Sequence, residues 1–400
     1  MLFRSSTNTG HAHPKVVKAI ADQAARLIQY TPAYFANSQA ARLAPRLAAL
    51  APISGPVEVA WGNSGSDAND AIIKFARAAT GRQYIVSFTG AYHGSTYGSM
   101  TISSVTLNMS RKMGPLLPGV VKVPFPSPWD KLADESDDQF VDRMYKAFLQ
   151  PFETYLPAEE VAAIVIEPIQ GDGGIIKVPQ AYMERIYAFA KQNGILFAID
   201  EVNQGMGRTG KWWSIQHFPG IEPDLMSVGK SLASGMPLSA VVGRKEIMEA
   251  LGPAANVYTT AGNPVTAAAA NATLDVIEEE HLVERSAKLG QKAKDFFDQE
   301  QAKYDFVGDA RLYGLNGGIS IVDPATGKGD VEATTKLMYR IFELGAIIIS
   351  LRGNILRFQP PLVITEEQLD KAFAIIDQAF AELAAGKLSL PSNAEELGWE

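Results

Sequence analysis

The sequence predicts an α/β fold, a mostly parallel central sheet with helices on both faces followed by a smaller C-terminal α/β domain. Three observations lead there. Short β-branched or apolar runs recur at 57–60, 84–88, 120–123, 162–166, 195–199, 225–228 and 238–242, the signature of buried strands. Amphipathic stretches with start and stop signals lie between them, and strands alternating with helices build a largely parallel sheet. From Thr273 onward the pattern changes to a long helix and then to strands near 315–322, 346–349 and 355–358 interleaved with helices.

Taken in order, Ser66-Asp67 opens a helix that ends near Gly81, and Pro179 opens another that ends at Asn193-Gly194, each pairing an N-terminal cap signal with a glycine stop. The Pro-rich stretch 115–129 reads as a long surface or active-site loop. The expected division is a large domain over 1–272 and a small domain over 273–400.

With 36 basic and 44 acidic residues the net charge is −8, so no basic face is expected to attract nucleic acid or anionic lipid. The chain has no cysteine, which excludes disulfides and thiolate metal sites. Residues 1–10 lack the apolar stretch of a signal peptide, and no apolar run reaches membrane-spanning length. The cytoplasm is the expected location and a small molecule the expected substrate.

Three motifs invite other readings. Gly205-Met206-Gly207-Arg208-Thr209-Gly210 matches the dinucleotide fingerprint, but the residues 200–204 separate it from its strand and Lys211-Trp212-Trp213 follows where a helix should open. Gly229-Lys230-Ser231 resembles the end of a P-loop, yet Asp224 stands where that motif requires glycine. His11 and His13 lack a helical spacing or a supporting carboxylate motif, so no metal site is expected.

The remaining residues suit pyridoxal 5'-phosphate, which needs a lysine for an imine, a carboxylate at the pyridine nitrogen, a phosphate cradle and a ring clamp. Asp200 ends the run 195–199, where a parallel sheet opens its ligand crevice. A helix cap is the plainer role for such an acid; holding a proton on the ring nitrogen is the chemical one. Val202 could press on one ring face. Lys230 follows the apolar run 225–228; most lysines are solvated, but burial would lower its pKa as an imine-forming amine requires. Gly62-Asn63-Ser64-Gly65-Ser66-Asp67 sits between strand and helix, so free N–H groups can meet a phosphate there. Tyr92 follows the run 84–88 and can stack on the ring.

Together, Asn63-Ser64-Gly65-Ser66-Asp67-Ala68, Tyr92-His93-Gly94, the segment from Glu167 to Gly174, Asp200-Glu201-Val202 and Ser227-Val228-Gly229-Lys230 resemble the class III aminotransferases, pyridoxal-phosphate enzymes of fold type I. By that resemblance Gly65 and Ser66 bind phosphate, Tyr92 and Val202 sandwich the ring, Asp200 pairs with the pyridinium and Lys230 carries the cofactor as a Schiff base. Thr259 matches a threonine that reaches the phosphate of a neighbouring subunit, which implies a homodimer or a dimer of dimers. Arg357 matches an arginine that meets a substrate carboxylate. Two positions depart from the family pattern. Asn203 replaces a glutamine whose hydrogen bond to the ring hydroxyl it would inherit, and Asp172 replaces a gateway glutamate.

Gly171-Asp172-Gly173-Gly174, Asp200 to Gly205 and Ser231 to Ala240 further resemble the isoleucine 2-epimerase group, which racemises amino acids on a transaminase scaffold. The expected activity is inversion at Cα of a non-polar amino acid, L-isoleucine to D-allo-isoleucine. Lys230 would remove the Cα proton, and Asp172 would return one from the opposite face; the alternative is that Asp172 only salt-bridges Arg357. An ω-amino-acid or 4-aminobutyrate aminotransferase and a non-catalytic protein that keeps the fold are the competing functions. The chain starts inside the family pattern, at Ser5 to His11, so Met1-Leu2-Phe3-Arg4 implies a missing N-terminal segment and a weaker dimer or lower activity.

Overall fold

In the computed structural model, which describes residues 6–390, seven strands form one sheet: β1 (Val57–Gly62), β2 (Tyr84–Phe88), β3 (Val120–Val123), β4 (Val161–Ile166), β5 (Leu196–Asp200), β6 (Leu225–Val228) and β7 (Ser239–Arg244). Their order is β1-β7-β6-β5-β4-β2-β3. β7 runs antiparallel to both neighbours, and the pairs β2/β3, β2/β4, β4/β5 and β5/β6 are parallel. Six strands therefore share one direction, the mostly parallel sheet that the alternation predicts. Three strands keep the expected ends, and the other four differ by one or two residues.

The sequence dictates this layering. All six residues of β4, Val-Ala-Ala-Ile-Val-Ile, are buried, as a parallel strand covered on both faces requires. The helix Gly65–Thr80 buries Ala68, Ile72, Phe75 and Ala76 at helical spacing. Its cap is Ser64 rather than the Ser66 expected: the Ser64 hydroxyl accepts from Asp67 N–H while the Asp67 carboxylate accepts from Ser64 N–H, and Gly81 at φ 67° closes it. The helix Gln180–Gln192 runs from the Pro179 cap to Asn193 as expected.

A second sheet, antiparallel, has the order β8-β9-β11-β10, where β8 is Val307–Leu312, β9 Gly317–Ile321, β10 Ile349–Leu351 and β11 Ile355–Phe358. β10 begins where the sequence places its end. β8 was not anticipated, because Gly308, Asp309 and Arg311 break its apolar alternation, a pattern suited to an edge strand. The helix Pro264–Glu279 spans position 272 without a break and links the two sheets in sequence. Among the described residues no helix is long and apolar enough to cross a membrane. The expectation attached to Met1 through Arg4 lies outside the described residues.

The dinucleotide-like loop is a structural joint. Arg208 is fully buried, donates Nη1 to the carbonyl of Leu315 at 3.0 Å, and is bonded also to Pro360 and Asn8. Asn8 in turn donates to Met206 O at 2.7 Å. The loop thus ties the second sheet and the N-terminal stretch to the end of β5, and burial lowers the Arg208 pKa to about 9.

Candidate active site

In the seven-stranded sheet the candidate residues lie at or beyond the carboxyl ends of the strands, where an open α/β sheet forms its crevice. Asp200 is the last residue of β5, and the register Asp200↔Ser227 puts it beside β6, with Lys230 two residues beyond β6. β1 leads to Gly65 and Ser66, β2 to Tyr92 and β4 to Glu167. A cavity of about 160 Å³ is lined by Gly65, Ser66, Tyr92, Asp172, Asp200, Val202, Asn203 and Lys230, together with Asn69, His93, Gly94 and Glu167. Eight of the ten candidate residues meet there, and the other two, Arg357 and Thr259, stand outside its lining.

Asp200 is 4% exposed and fully engaged on one side. Its Oδ2 accepts from His93 Nδ1 and Asn69 Nδ2, each at 2.8 Å, and its Oδ1 accepts from Val202 N–H at 2.9 Å. Burial works to raise its pKa, but the His93 hydrogen bond and charge, with the Val202 and Asn69 donors, hold the carboxyl below its usual range. For His93 burial works downward, and the bond to Asp200 and the nearby carboxylates outweigh it, so its pKa is raised. Its Nε2 is buried without a partner among the described residues. Glu167 accepts from Gly171 and Tyr92 N–H groups, and burial pushes its pKa up to about 7.

Lys230 sits at φ 45°, a left-handed conformation that non-glycine residues avoid and that recurs at functional sites. Burial lowers its amine pKa, with the Asp172 charge opposing and Arg357 assisting. An amine so shifted is available as a nucleophile and as a proton carrier.

At the mouth of the helix Gly65–Thr80 the capping box satisfies the Ser64 and Asp67 donors, which leaves the Gly65 and Ser66 N–H groups at the positive end of the helix. A Cβ at Gly65 would come within 2.7 Å of Val202 Cγ1, and one at Gly94 within 2.4 Å of Ser66 Oγ. Only glycine lets these segments close up around the cavity. The set fits pyridoxal phosphate: an amine, an ionised carboxylate, uncommitted helix N–H groups, and Val202 and Tyr92 on the walls.

Arg357, on β11, is 8% exposed. Its Nη1 lies 3.2 Å from Asp172 Oδ1 and its Nη2 donates to Asn203 Oδ1 at 3.0 Å. Asp172 therefore both lines the cavity and pairs with Arg357. Thr259 is exposed, and its carbonyl accepts from Gln29 Nε2 at 2.6 Å and Thr31 Oγ1 at 2.9 Å. Sequence reasoning missed Asn69 as a partner of Asp200, and it treated His93 and Glu167 only as parts of motifs. The signal for Asn69 was its spacing, one helical turn from Ser66.

A family model described as Aminotransferase class-III matches residues 3–380. The chain is 58% identical over 396 residues to the Isoleucine 2-epimerase of Lentilactobacillus buchneri, covering 99% of this chain and 88% of that protein. It is 41% identical over 397 residues to the Leucine/methionine racemase of Thermococcus litoralis, covering 98% and 88%. Among solved structures, an (S)-enantioselective omega-transaminase from Thermomicrobium roseum aligns with a TM-score of 0.86 at 28% identity over 95% of this chain and 87% of that one. With the family model covering nearly its whole length and relatives this similar, the chain belongs to the class III aminotransferase family.

Proposed function

We propose that this protein is a pyridoxal-phosphate-dependent amino-acid racemase that inverts Cα of non-polar amino acids, L-isoleucine to D-allo-isoleucine among them. The observation that carries this reading is that Lys230 and Asp172, two groups able to move a proton, line one cavity with Asp200. The 58% identity to an isoleucine 2-epimerase and the 41% identity to a leucine/methionine racemase support the substrate class.

When bound, pyridoxal phosphate acidifies the Cα–H bond of the amino acid attached to it. The Lys230 amine would hold the cofactor until the substrate amine displaces it, and the released amine would then take the Cα proton. Asp200, kept ionised by His93, Asn69 and Val202 N–H, holds a proton on the ring nitrogen. Gly65 and Ser66 N–H groups bind the phosphate, Tyr92 and Val202 orient the ring, and Asn203 meets the ring hydroxyl. The substrate carboxylate would bind Arg357 and release Asp172 from its ion pair; the freed carboxylate would take a proton from solvent and give it to the face of Cα opposite Lys230, while the proton removed from Cα leaves to solvent from the Lys230 ammonium. The unit 1–272 holds the cofactor and the unit 273–400 supplies Arg357.

A homodimer or dimer of dimers belongs to the same proposal: Ile28, Tyr34 and Phe35 are 67%, 75% and 73% exposed beside Gln29 and Thr31, which hold Thr259. Apolar surface of that kind marks a contact face, and from it Thr259 reaches the phosphate of the neighbouring subunit. The cytoplasm is the proposed location, consistent with a chain free of cysteine.

Chiral analysis of L-isoleucine incubated with the protein and cofactor, without a keto acid, tests the reading. The expected product is D-allo-isoleucine in many turnovers; a keto acid formed in a single half-reaction, with no D-allo isomer, would make the protein an aminotransferase.

A further inference from the structure

The loop over 115–129 ends on the turn that carries Asp172. Trp129, in the short 3₁₀ turn Pro128–Asp130, lies with its ring edge against Gly174: a Cβ built at that glycine, which sits at φ 126°, would come within 2.7 Å of Trp129 Cη2 and 2.9 Å of Ile355 Cδ1. Arg311 of β8 donates to the Gly174 carbonyl, Nη2 at 2.9 Å and Nε at 3.3 Å. The Trp129 ring centroid lies 4.9 Å from the Arg311 guanidinium carbon and 5.2 Å from that of Arg352, within cation–π range.

The other end of the turn is held from the same small sheet. Gly318 of β9 is in register with Arg357 of β11; a Cβ at Gly318 would come within 2.8 Å of Gly174 O, while Arg357 holds the Asp172 carboxylate at 3.2 Å. Arg357 grips the side chain, Arg311 grips the backbone two residues on, and Trp129 covers both the turn and the arginine. A carboxylate that must reach one face of Cα tolerates little displacement, because a misplacement of about 1 Å costs on the order of 100-fold in rate.

We propose that Trp129 and Arg311 are positioning residues for proton delivery by Asp172, clamping the turn 171–174 so that its carboxylate stands at the cavity. The inference rests on the racemase reading given above, and its test separates the two. In the apoprotein, hydrogen–deuterium exchange of the segment 169–177 in Trp129→Ala and Arg311→Ala is expected to quicken on the order of 10-fold or more, with the rest of the large sheet unchanged. In the loaded enzyme, epimerisation of L-isoleucine is expected to fall on the order of 10- to 100-fold, while wash-in of solvent deuterium at Cα of recovered L-isoleucine, the Lys230 half of the reaction, stays at the wild-type rate. Trp129→Phe, which keeps an aromatic face for the arginines, restores both readouts. Unchanged amide exchange at 169–177 in both variants, or wild-type epimerisation by Trp129→Ala, overturns the proposal. A wild type that yields no D-allo-isoleucine instead refutes the racemase reading and the delivery role with it, and the amide-exchange arm then judges the clamp alone.

Discussion

His93 Nδ1 stands 2.8 Å from Asp200 Oδ2 in a pocket where both side chains are almost wholly buried. The pair couples the Tyr92-His93-Gly94 motif after β2 to the last residue of β5, two strands away in the sheet order. A buried ion pair is strongly destabilised when one partner is removed, because the other charge is left uncompensated. That makes its pH window measurable.

The folded pKa of His93 lies above 6.5, so its contribution to stability is fully present below that pH and is lost as pH rises through the folded value. The folded pKa of Asp200 lies below 3.8, so its contribution is present above that pH and is lost as pH falls through the folded value. The pair is therefore at full strength between these limits. His93→Gln is expected to destabilise the apoprotein by about 3 kcal/mol near the middle of that window, and by less in alkaline solution. Urea unfolding of both proteins across the pH range checks this; a cost independent of pH would refute the ion pair.

Asp172→Asn removes the proposed acid and keeps the shape. Epimerisation of L-isoleucine is expected to fall on the order of 100- to 10,000-fold, the usual contribution of a positioned acid or base. Deuterium wash-in at Cα of the recovered L-isomer should persist. Full racemisation by this variant would leave Asp172 as a partner of Arg357 and nothing more.

Arg357→Lys keeps the charge but loses the planar fork that matches a carboxylate. The expected outcome is a KM for L-isoleucine raised on the order of 10-fold with a smaller change in kcat. Steady-state kinetics decide it, and an unchanged KM would remove Arg357 from substrate binding.

Gly65→Ala places a Cβ within 2.7 Å of Val202 Cγ1, and overpacking of that kind costs about 1–3 kcal/mol. Because the clash lies between the helix end proposed to hold the phosphate and the valine proposed to face the ring, the cost is expected in cofactor affinity. Titration of the apoprotein with pyridoxal phosphate measures it; wild-type affinity would mean that Val202 does not face the ring.

Residues joined by local sequence were legible before the fold was. Asp200 and Lys230 each follow an apolar run at the end of a parallel strand, and Gly65-Ser66 follows β1 at a helix start, so the topology alone brings them together. Asn69 belongs to the other kind, meeting Asp200 across 131 positions. The Asp172–Arg357 ion pair, across 185 positions, was expected only through the family resemblance, since no local pattern encodes such a separation. β8 escaped notice because its charged and glycine residues hide an edge strand, and with it went the view of Arg311 as a neighbour of the Asp172 turn. The dinucleotide-like glycines were rightly set aside on context: Gly207 and Gly210 take positive φ in a loop organised by Arg208, with no phosphate-capping helix after them.

In the proposed mechanism the amine at position 230 carries the cofactor in the cavity it shares with Asp200. Borohydride reduction of the pyridoxal-phosphate-loaded protein, followed by digestion and mass mapping, is the decisive experiment. One reduced phosphopyridoxyl group is expected, on Lys230, and none in Lys230→Ala treated in parallel. A label on another lysine, or an unlabelled wild-type protein, would contradict it.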